Sequence, residues 1–364
     1  MKTPNILRCR ERLLGWYDVH HRALPWHGES DPYRVFVSEV MLVQTTIATV
    51  TPRYAVFLER FPTVRALAEA TEDEVLKAWE GLGYYRRARL LHQAARVIVD
   101  RHRGIFPQTL EQILELPGVG RYMAGAIASF AFGLRAPILE ANTRRVLARL
   151  LGMKSVSPAD KTERVLWEWA DRLVCEHRPG DFNQAFMELG QRLCSPTKPR
   201  CGDCPWASDC AAFACRTPEA FGAPAERKQV ETGEEIGLVV VCGNEILMRR
   251  RPPGTLWHGM WEWPCWNMSG ANPGGRPKAQ IEKDGALVEL GEEVRIRQLK
   301  PARSITYTVT RFRIRQGLCR VEVDARAKKA ISLEGEWGWF SLEKAEKLSL
   351  PSPIRKAFRM MAQR

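Results

Sequence analysis

Four cysteines fall within 17 residues, spaced Cys194-x6-Cys201-x2-Cys204-x5-Cys210. Four thiolates this close can enclose one compact centre, and both zinc and an iron–sulfur cluster accept four cysteines. Zinc sites usually come as two short pairs, whereas here only the middle pair is Cys-x-x-Cys. The other six cysteines, Cys9, Cys175, Cys215, Cys242, Cys265 and Cys319, are scattered. A secreted disulfide framework would spread paired cysteines through a small chain. One tight group plus lone thiols reads instead as a metal site in a reducing cytoplasm.

The chain has 364 residues, enough for two domains. Up to about residue 215 the apolar residues recur at helical spacing, which predicts helices at 6–18, 34–48, 54–60, 73–80, 86–99, 121–132, 143–151, 163–175 and 182–193. Pro25, Pro32, Pro52, Pro62 and the glycine-containing stretches 81–83, 117–120 and 177–180 read as breakers. Thr71 with Glu74 fits a capping box, and Asp181 an N-cap. Residues 216–235 carry two prolines, many charges and little periodicity, and read as a linker. From 236 the pattern turns strand-like: "IGLVVVCGNEILMRRR" predicts a hairpin turning at Gly243-Asn244, "ITYTVTRFRIRQG" alternates in period two, and "EWGWFSLEKAEKLSL" reads as strand then helix. The expected fold is a mainly α N-terminal domain over 1–215, the linker, and an α+β domain over 236–364.

Lys and Arg number 55 against 42 Asp and Glu, a net charge of +13 that favours a polyanionic partner such as nucleic acid. Hydrophobic residues make up 45%, enough for a core, yet no run approaches roughly 18 apolar residues, so no membrane span is expected. The stretch "MKTPNILRCRERLLGWYD" is charged and amphipathic and is not read as a secretory signal.

In "LPGVGRYMAGAIASFAFG" a proline and two glycines, Gly118 and Gly120, precede a strong apolar helix beginning at Arg121. Glycines there let backbone N–H groups face an anion at the helix N-terminus. About 20 residues on, "PILEANTRRV" sets Glu140 between an apolar and a basic run. The helix after it is expected to expose Arg144, Arg145 and Arg149. Glu140 is then either a stray cap or a chemical tool aimed into a basic surface. A second acid, Glu39, lies in the otherwise apolar helix of "DPYRVFVSEVMLVQTTIATV".

These segments resemble known families. The six–two–five cysteine spacing resembles the [4Fe–4S] loop of the endonuclease III group of DNA repair glycosylases. The "LPGVG" hairpin followed by an acid resembles the helix–hairpin–helix motif of the same superfamily. "DPYRVFVSEVMLVQT", "GLGYYRRARLL" and "FNQAFMELG" resemble the MutY-type adenine DNA glycosylases through residues 10–210. The resemblance implies a helix–hairpin–helix glycosylase domain followed by a Nudix-like domain. It implies a [4Fe–4S] cluster on Cys194, Cys201, Cys204 and Cys210, and a monomer acting in the cytoplasm, at the nucleoid, on double-stranded DNA that contains a mismatch or 8-oxoguanine. Glu39 is then the general acid that protonates adenine, with Tyr122, Asn142 and Glu188 around it, and Glu140 stabilises the sugar cation and is not a stray cap. Trp26, His27 and Leu42 line the adenine pocket. Gln44, Thr45, Leu82 and Tyr84 meet the base stack, and Gly118, Gly120 and Arg121 meet DNA. Where a lyase of this superfamily has a lysine, this chain has Tyr122, which has no amine for a Schiff base, so strand cleavage is not expected.

In the second domain no Nudix box is found, so no nucleotide pyrophosphatase is expected. The family's lesion-reading Phe-Ser-His tripeptide aligns with Tyr307-Thr308-Val309, which lacks the imidazole; Thr306 or Thr310 stands near enough to replace it. Three further departures touch the site: Glu140 replaces the usual Asp, Val43 a Gln, and His27 an Arg or Gln. A misplacement of about 1 Å can cost ~10²-fold in rate, so Glu140 needs a shifted backbone or a bent rotamer. Two other readings remain open: a glycosylase for another mispaired base, such as thymine opposite guanine, and a lesion-binding protein with weakened catalysis.

Overall fold

The computed structural model describes residues 4–154, 161–222, 229–282, 285–291, 294–299, 301 and 303–362. Contacts divide the chain into two compact units, Met1–Glu69 with Leu90–Arg227, and Ala70–Arg89 with Lys228–Arg364. Part of the stretch read as a linker, 223–228, lies outside the described residues, and the strand Glu231–Cys242 starts within that stretch.

The first unit is helical. Asp31 caps the helix Pro32–Leu42 by accepting from the Tyr33 N–H, and Pro32 fills the first turn, where its missing N–H costs nothing. All but three of its eleven residues are buried, Glu39 among them. The helix expected over 34–48 is in fact two. The chain leaves the first at Val43, and Thr46 caps the next, Ile47–Arg60. Pro52, expected to break structure, sits inside that second helix, where burial of Val50, Tyr54 and Phe57 outweighs the one lost backbone bond. The helix Arg121–Phe132 has the expected bounds, starting at Gly120 without a side-chain cap and ending at Gly133 in the left-handed region.

The helix Pro179–Arg192 begins three residues before its predicted start. Its N-cap is Arg178, not Asp181; Asp181 lies in the first turn and pairs with Arg178 at 2.8 Å. Leu13, Ala126, Leu147, Phe182, Phe186, Leu189 and Trp206 join these helices in one core. A Cβ on Gly190 would meet the Asn142 Cβ at 2.8 Å, so glycine lets Pro179–Arg192 touch the start of the helix Ala141–Leu151.

The second unit is built on a mixed sheet. Glu231–Cys242 and Glu245–Arg250 form the expected hairpin, with Cys242 opposite Glu245 across Gly243-Asn244. Glu231–Cys242 also runs parallel to Phe312–Glu322 along most of its length. The segment expected as alternating strand is a hairpin, Arg303–Val309 paired with Phe312–Glu322 across Thr310-Arg311. Trp337–Ser341 is the expected strand, and the helix Leu342–Lys347 follows it. The helix Glu72–Ala78 belongs to this unit and opens on the capping box of Thr71 and Glu74. It is held there by ion pairs Arg89–Glu72 and Arg250–Asp73, with Arg355–Glu80 beside it, each at 2.8 Å.

Candidate active site

In the first unit, Glu39, Tyr122, Glu140, Asn142 and Glu188 line one cavity of about 680 Å³, together with Trp26, His27, Leu42, Gln44 and Thr45. That volume lies within the roughly 300–1,000 Å³ of small-molecule sites. Glu39 comes from the middle of its buried helix and is 3% exposed. The Tyr122 hydroxyl donates to Glu39 Oε2 at 2.8 Å and lies 3.7 Å from Met187 Sδ. Burial pushes the Glu39 carboxyl up to about 7, against the lowering effect of the Tyr122 bond, and the charge of Glu140 adds to the rise. The Tyr122 phenol is itself raised, first by burial and then by the two acids.

Glu140 is the N-cap of the helix Ala141–Leu151, contrary to the expectation that it is no cap. Its Oε1 accepts from the Thr143 N–H at 2.9 Å and its Oε2 from the Asn142 N–H at 2.8 Å, while the Thr143 hydroxyl accepts from the Glu140 N–H. Asn142 Nδ2 reaches the same Oε2 at 3.2 Å. The extra methylene is thus folded back, and the carboxylate rests on the helix N-terminus, where aligned N–H groups favour negative charge. Burial raises the Glu140 carboxyl; the Asn142 and Thr143 donors oppose that rise.

The arginines after it were misread. Arg144 points to Glu163, at 2.6 and 3.0 Å, rather than to Glu140. Arg145 and Arg149 are buried, not exposed. Arg145 donates to Asn142 Oδ1, to the Gly190 carbonyl and to the Cys194 carbonyl, each within 2.9 Å. Arg149 reaches the Ser195 and Pro196 carbonyls at 2.7 and 2.9 Å and Cys194 Sγ at 3.4 Å. Two buried cations therefore tie the start of the cysteine loop to the helix that carries Glu140. Periodicity shows that one helix face is polar; it does not reveal what covers that face.

Cys194, Cys204 and Cys210 pack on the helical core, and Cys210 Sγ donates to the Arg149 carbonyl at 3.4 Å. All four cysteines of the loop are half-buried and unpaired by disulfides. Among the described residues no three His, Cys, Asp or Glu side chains converge as ligands of one metal ion. The four thiols share one loop, a donor set that both zinc and an iron–sulfur cluster accept.

Glu188 is 2% exposed and takes Arg22 Nε at 2.8 Å and Arg192 Nη1 at 3.1 Å. Arg22, which also lines the cavity, is a functional candidate that the sequence reading missed. The only signal for it was its place four residues before Trp26. Trp26 is buried edge-on to Tyr54, and His27 Nδ1 lies 2.8 Å from the Arg22 carbonyl. Gln44 has φ +57°, a strained backbone for a side chain other than glycine. Gly118 has φ +79° in its turn, and Arg121 stacks on Trp167 at 3.8 Å.

Leu82 and Tyr84 lie in the second unit, Leu82 buried and Tyr84 46% exposed at φ +46°. Tyr307 is 9% exposed and donates to Glu235 Oε2 at 2.9 Å, so its ring is part of the core rather than presented to a partner. Thr308 faces solvent on the other side of the strand, opposite Arg313. The hairpin tip is Thr310-Arg311, with Thr310 at φ +52°.

Comparison with known proteins gives the same picture. Residues 37–172 match the family described as "HhH-GPD superfamily base excision DNA repair protein", and residues 236–360 match the NUDIX domain. The chain is 34% identical to the adenine DNA glycosylase of Homo sapiens, over 79% of this chain and 61% of that one. To that of Buchnera aphidicola subsp. Baizongia pistaciae it is 33% identical, over 70% of this chain and 72% of that one. It spans only 47% of the Arabidopsis thaliana relative and 43% of that of Mus musculus, so less than two thirds of these longer relatives. Among solved structures a thermostable thymine-DNA glycosylase superposes with a TM-score of 0.53 at 29% identity, over 56% of this chain and 94% of that one. No described helix is long and apolar enough to cross a membrane. With a helix–hairpin–helix glycosylase segment, a Nudix-like segment and relatives of this identity and coverage, the chain belongs to the adenine DNA glycosylase family.

Proposed function

We propose that the protein removes adenine paired with 8-oxoguanine or guanine from DNA, as a monofunctional glycosylase. The observation that carries this reading is Glu39: a buried carboxyl on a cavity wall, raised to about 7 and held by one phenol. An adenine inside a duplex is unreachable, so the base enters the cavity flipped out. Tyr122 donates to Glu39 Oε2, which leaves Oε1 as the atom carrying the proton. Glu39 passes that proton to the base as the N-glycosidic bond breaks and the bonding electrons leave with adenine. The sugar becomes an oxocarbenium-like cation. Glu140, whose carboxyl oxygens accept from the N–H groups of Asn142 and Thr143, stabilises it until water adds. Two acids in unlike surroundings serve the two roles. With Tyr122 in place of an amine, no Schiff base forms.

Cys194, Cys201, Cys204 and Cys210 would hold a [4Fe–4S] cluster, which when bound fixes the loop as a rigid thiolate clamp. The uncapped helix start at Gly120 and Arg121 offers N–H groups to a DNA phosphate. Gln44, Thr45, Leu82 and Tyr84 are assigned to the base stack, and the 303–322 hairpin to the lesion side. Residues 1–215 serve as the glycosylase domain and 236–364 as the lesion-reading domain of a cytoplasmic monomer.

The test is base release under single-turnover conditions from duplexes carrying A opposite 8-oxoguanine, A opposite G, and T opposite G. Adenine release from the first two is expected. Release only from T opposite G, or binding without release, would overturn the reading. Borohydride trapping on abasic-site DNA is expected to give no efficient covalent capture.

A further inference from the structure

We infer that His27 is a specificity-determining residue of the cavity, whose Nε2 accepts a hydrogen bond from the exocyclic 6-amino group of the bound base. The inference rests on the reading of this cavity as an adenine pocket and adds the atom that reads the amine.

The His27 ring lines the cavity, and its Nδ1 lies 2.8 Å from the Arg22 carbonyl oxygen. A carbonyl oxygen can only accept, so Nδ1 carries the proton of the neutral ring and Nε2 is left with a lone pair. Burial also lowers the His27 pKa, ahead of the opposing pull of the Arg22 carbonyl and Glu188, which favours that neutral ring. Three neighbouring amide oxygens on the cavity wall are already engaged. Arg22 donates to Gln191 Oε1 at 2.6 Å, Tyr17 to Gln184 Oε1 at 2.9 Å, and Arg145 to Asn142 Oδ1 at 2.9 Å. Nε2 thus adds a fixed neutral acceptor beside three amide oxygens that are taken.

A flipped base is read along its Watson–Crick edge, where adenine presents an N6 donor. A 6-keto base would set its oxygen against the Nε2 lone pair, and a base with hydrogen at position 6 would leave that acceptor unpaired. An arginine at this position could only donate; a histidine with this tautomer can only accept. The substitution therefore changes the sign of the contact and not only its size.

The experiment compares single-turnover excision of adenine, purine and hypoxanthine, each opposite 8-oxoguanine, by the wild-type protein, His27→Leu and His27→Gln. Loss of the acceptor for a buried amine donor predicts a fall of about 10–100-fold in the adenine-to-purine preference of His27→Leu, read as the ratio of the two rates. His27→Gln, which keeps an acceptor oxygen at similar reach, should recover most of the preference. An unchanged preference in His27→Leu, with adenine still excised by the wild type, overturns this inference alone. No adenine excision by the wild type overturns the pocket reading and this inference with it. An arm independent of variant folding is nitrogen NMR of the His27 ring in the wild-type protein at neutral pH. Protonated Nδ1 and bare Nε2 are expected, and a proton on Nε2 overturns the inference.

Discussion

Glu39 and Glu235 are the same residue at the same 3% exposure, one in each unit, and their surroundings differ in kind. Glu39 has a phenol and no cation, and its carboxyl is pushed up to about 7. Glu235 has Arg276 at 2.8 Å, with Tyr307 and Gln316 on its other oxygen, and Arg276 goes on to Glu262, which Arg251 also holds. A buried acid with a matched cation is tied to that partner and stiffens a fold. A buried acid without one stays near its titration point and can give up a proton. What separates a chemical tool from a structural tie here is the partner, not the burial.

Four variants test that contrast. Glu39→Gln removes the proton donor and should lower adenine release by about 10²–10⁴-fold while a filter or anisotropy assay still registers DNA binding. The same change should stabilise the protein at high pH. A raised folded-state pKa means that Glu39 helps stability below its unfolded value of 4.5 and loses that help as pH climbs through about 7. The melting advantage of Glu39→Gln should therefore grow from pH 4.5 to 7 and then level off, at no more than about 3 kcal/mol. An advantage that shrinks with pH would contradict the assignment.

Glu235→Gln should behave oppositely. Arg276 then keeps only Glu262, which Arg251 shares, and the loss costs up to about 3–5 kcal/mol in denaturant melts, with excision per folded molecule kept. Tyr122→Phe takes away the bond that lowers the Glu39 pKa, so the high-pH limb of the excision profile should move upward. The rate should drop by about tenfold, the scale of one hydrogen bond. Smallest is Glu140→Asp. Both residues can cap a helix, so melting should shift by less than about 1 kcal/mol and excision by less than about tenfold. A larger loss would mean that the folded-back glutamate reaches somewhere an aspartate cannot.

How far the sequence could be read follows the same division. Glu39 and Tyr122 were singled out through segments that resemble a known family and the cysteines by their spacing; the structure sets the first two 2.8 Å apart. The hairpin at Gly243-Asn244 and the Thr71–Glu74 box were legible because their bonds are local. Arg145 and Arg149 were not, because their partners at Gly190 and Cys194–Pro196 lie about 45 residues away and only packing brings them in. Glu140 was read for its charge and missed as a cap, since glutamate rarely takes that position and nothing in "LEANT" shows the side chain bending back. Tyr307 was placed by alignment on the lesion side, yet strand alternation turns its ring inward and leaves Thr308 outside. Asp181 lost the cap to Arg178 because Pro179 fixes the first turn two residues before it.

The second unit draws Ala70–Arg89 from early in the chain and Lys228–Arg364 from its end. During synthesis the Glu72–Ala78 helix emerges long before Arg250 and Arg355, the cations that hold Asp73 and Glu80. The parallel pairing of Glu231–Cys242 with Phe312–Glu322 likewise waits for a distant strand. Closing such separated contacts late is slow. This half of the molecule therefore completes after the helical half, and a ribosome that stops between Arg250 and Arg355 releases a chain that lacks the Arg355–Glu80 pair.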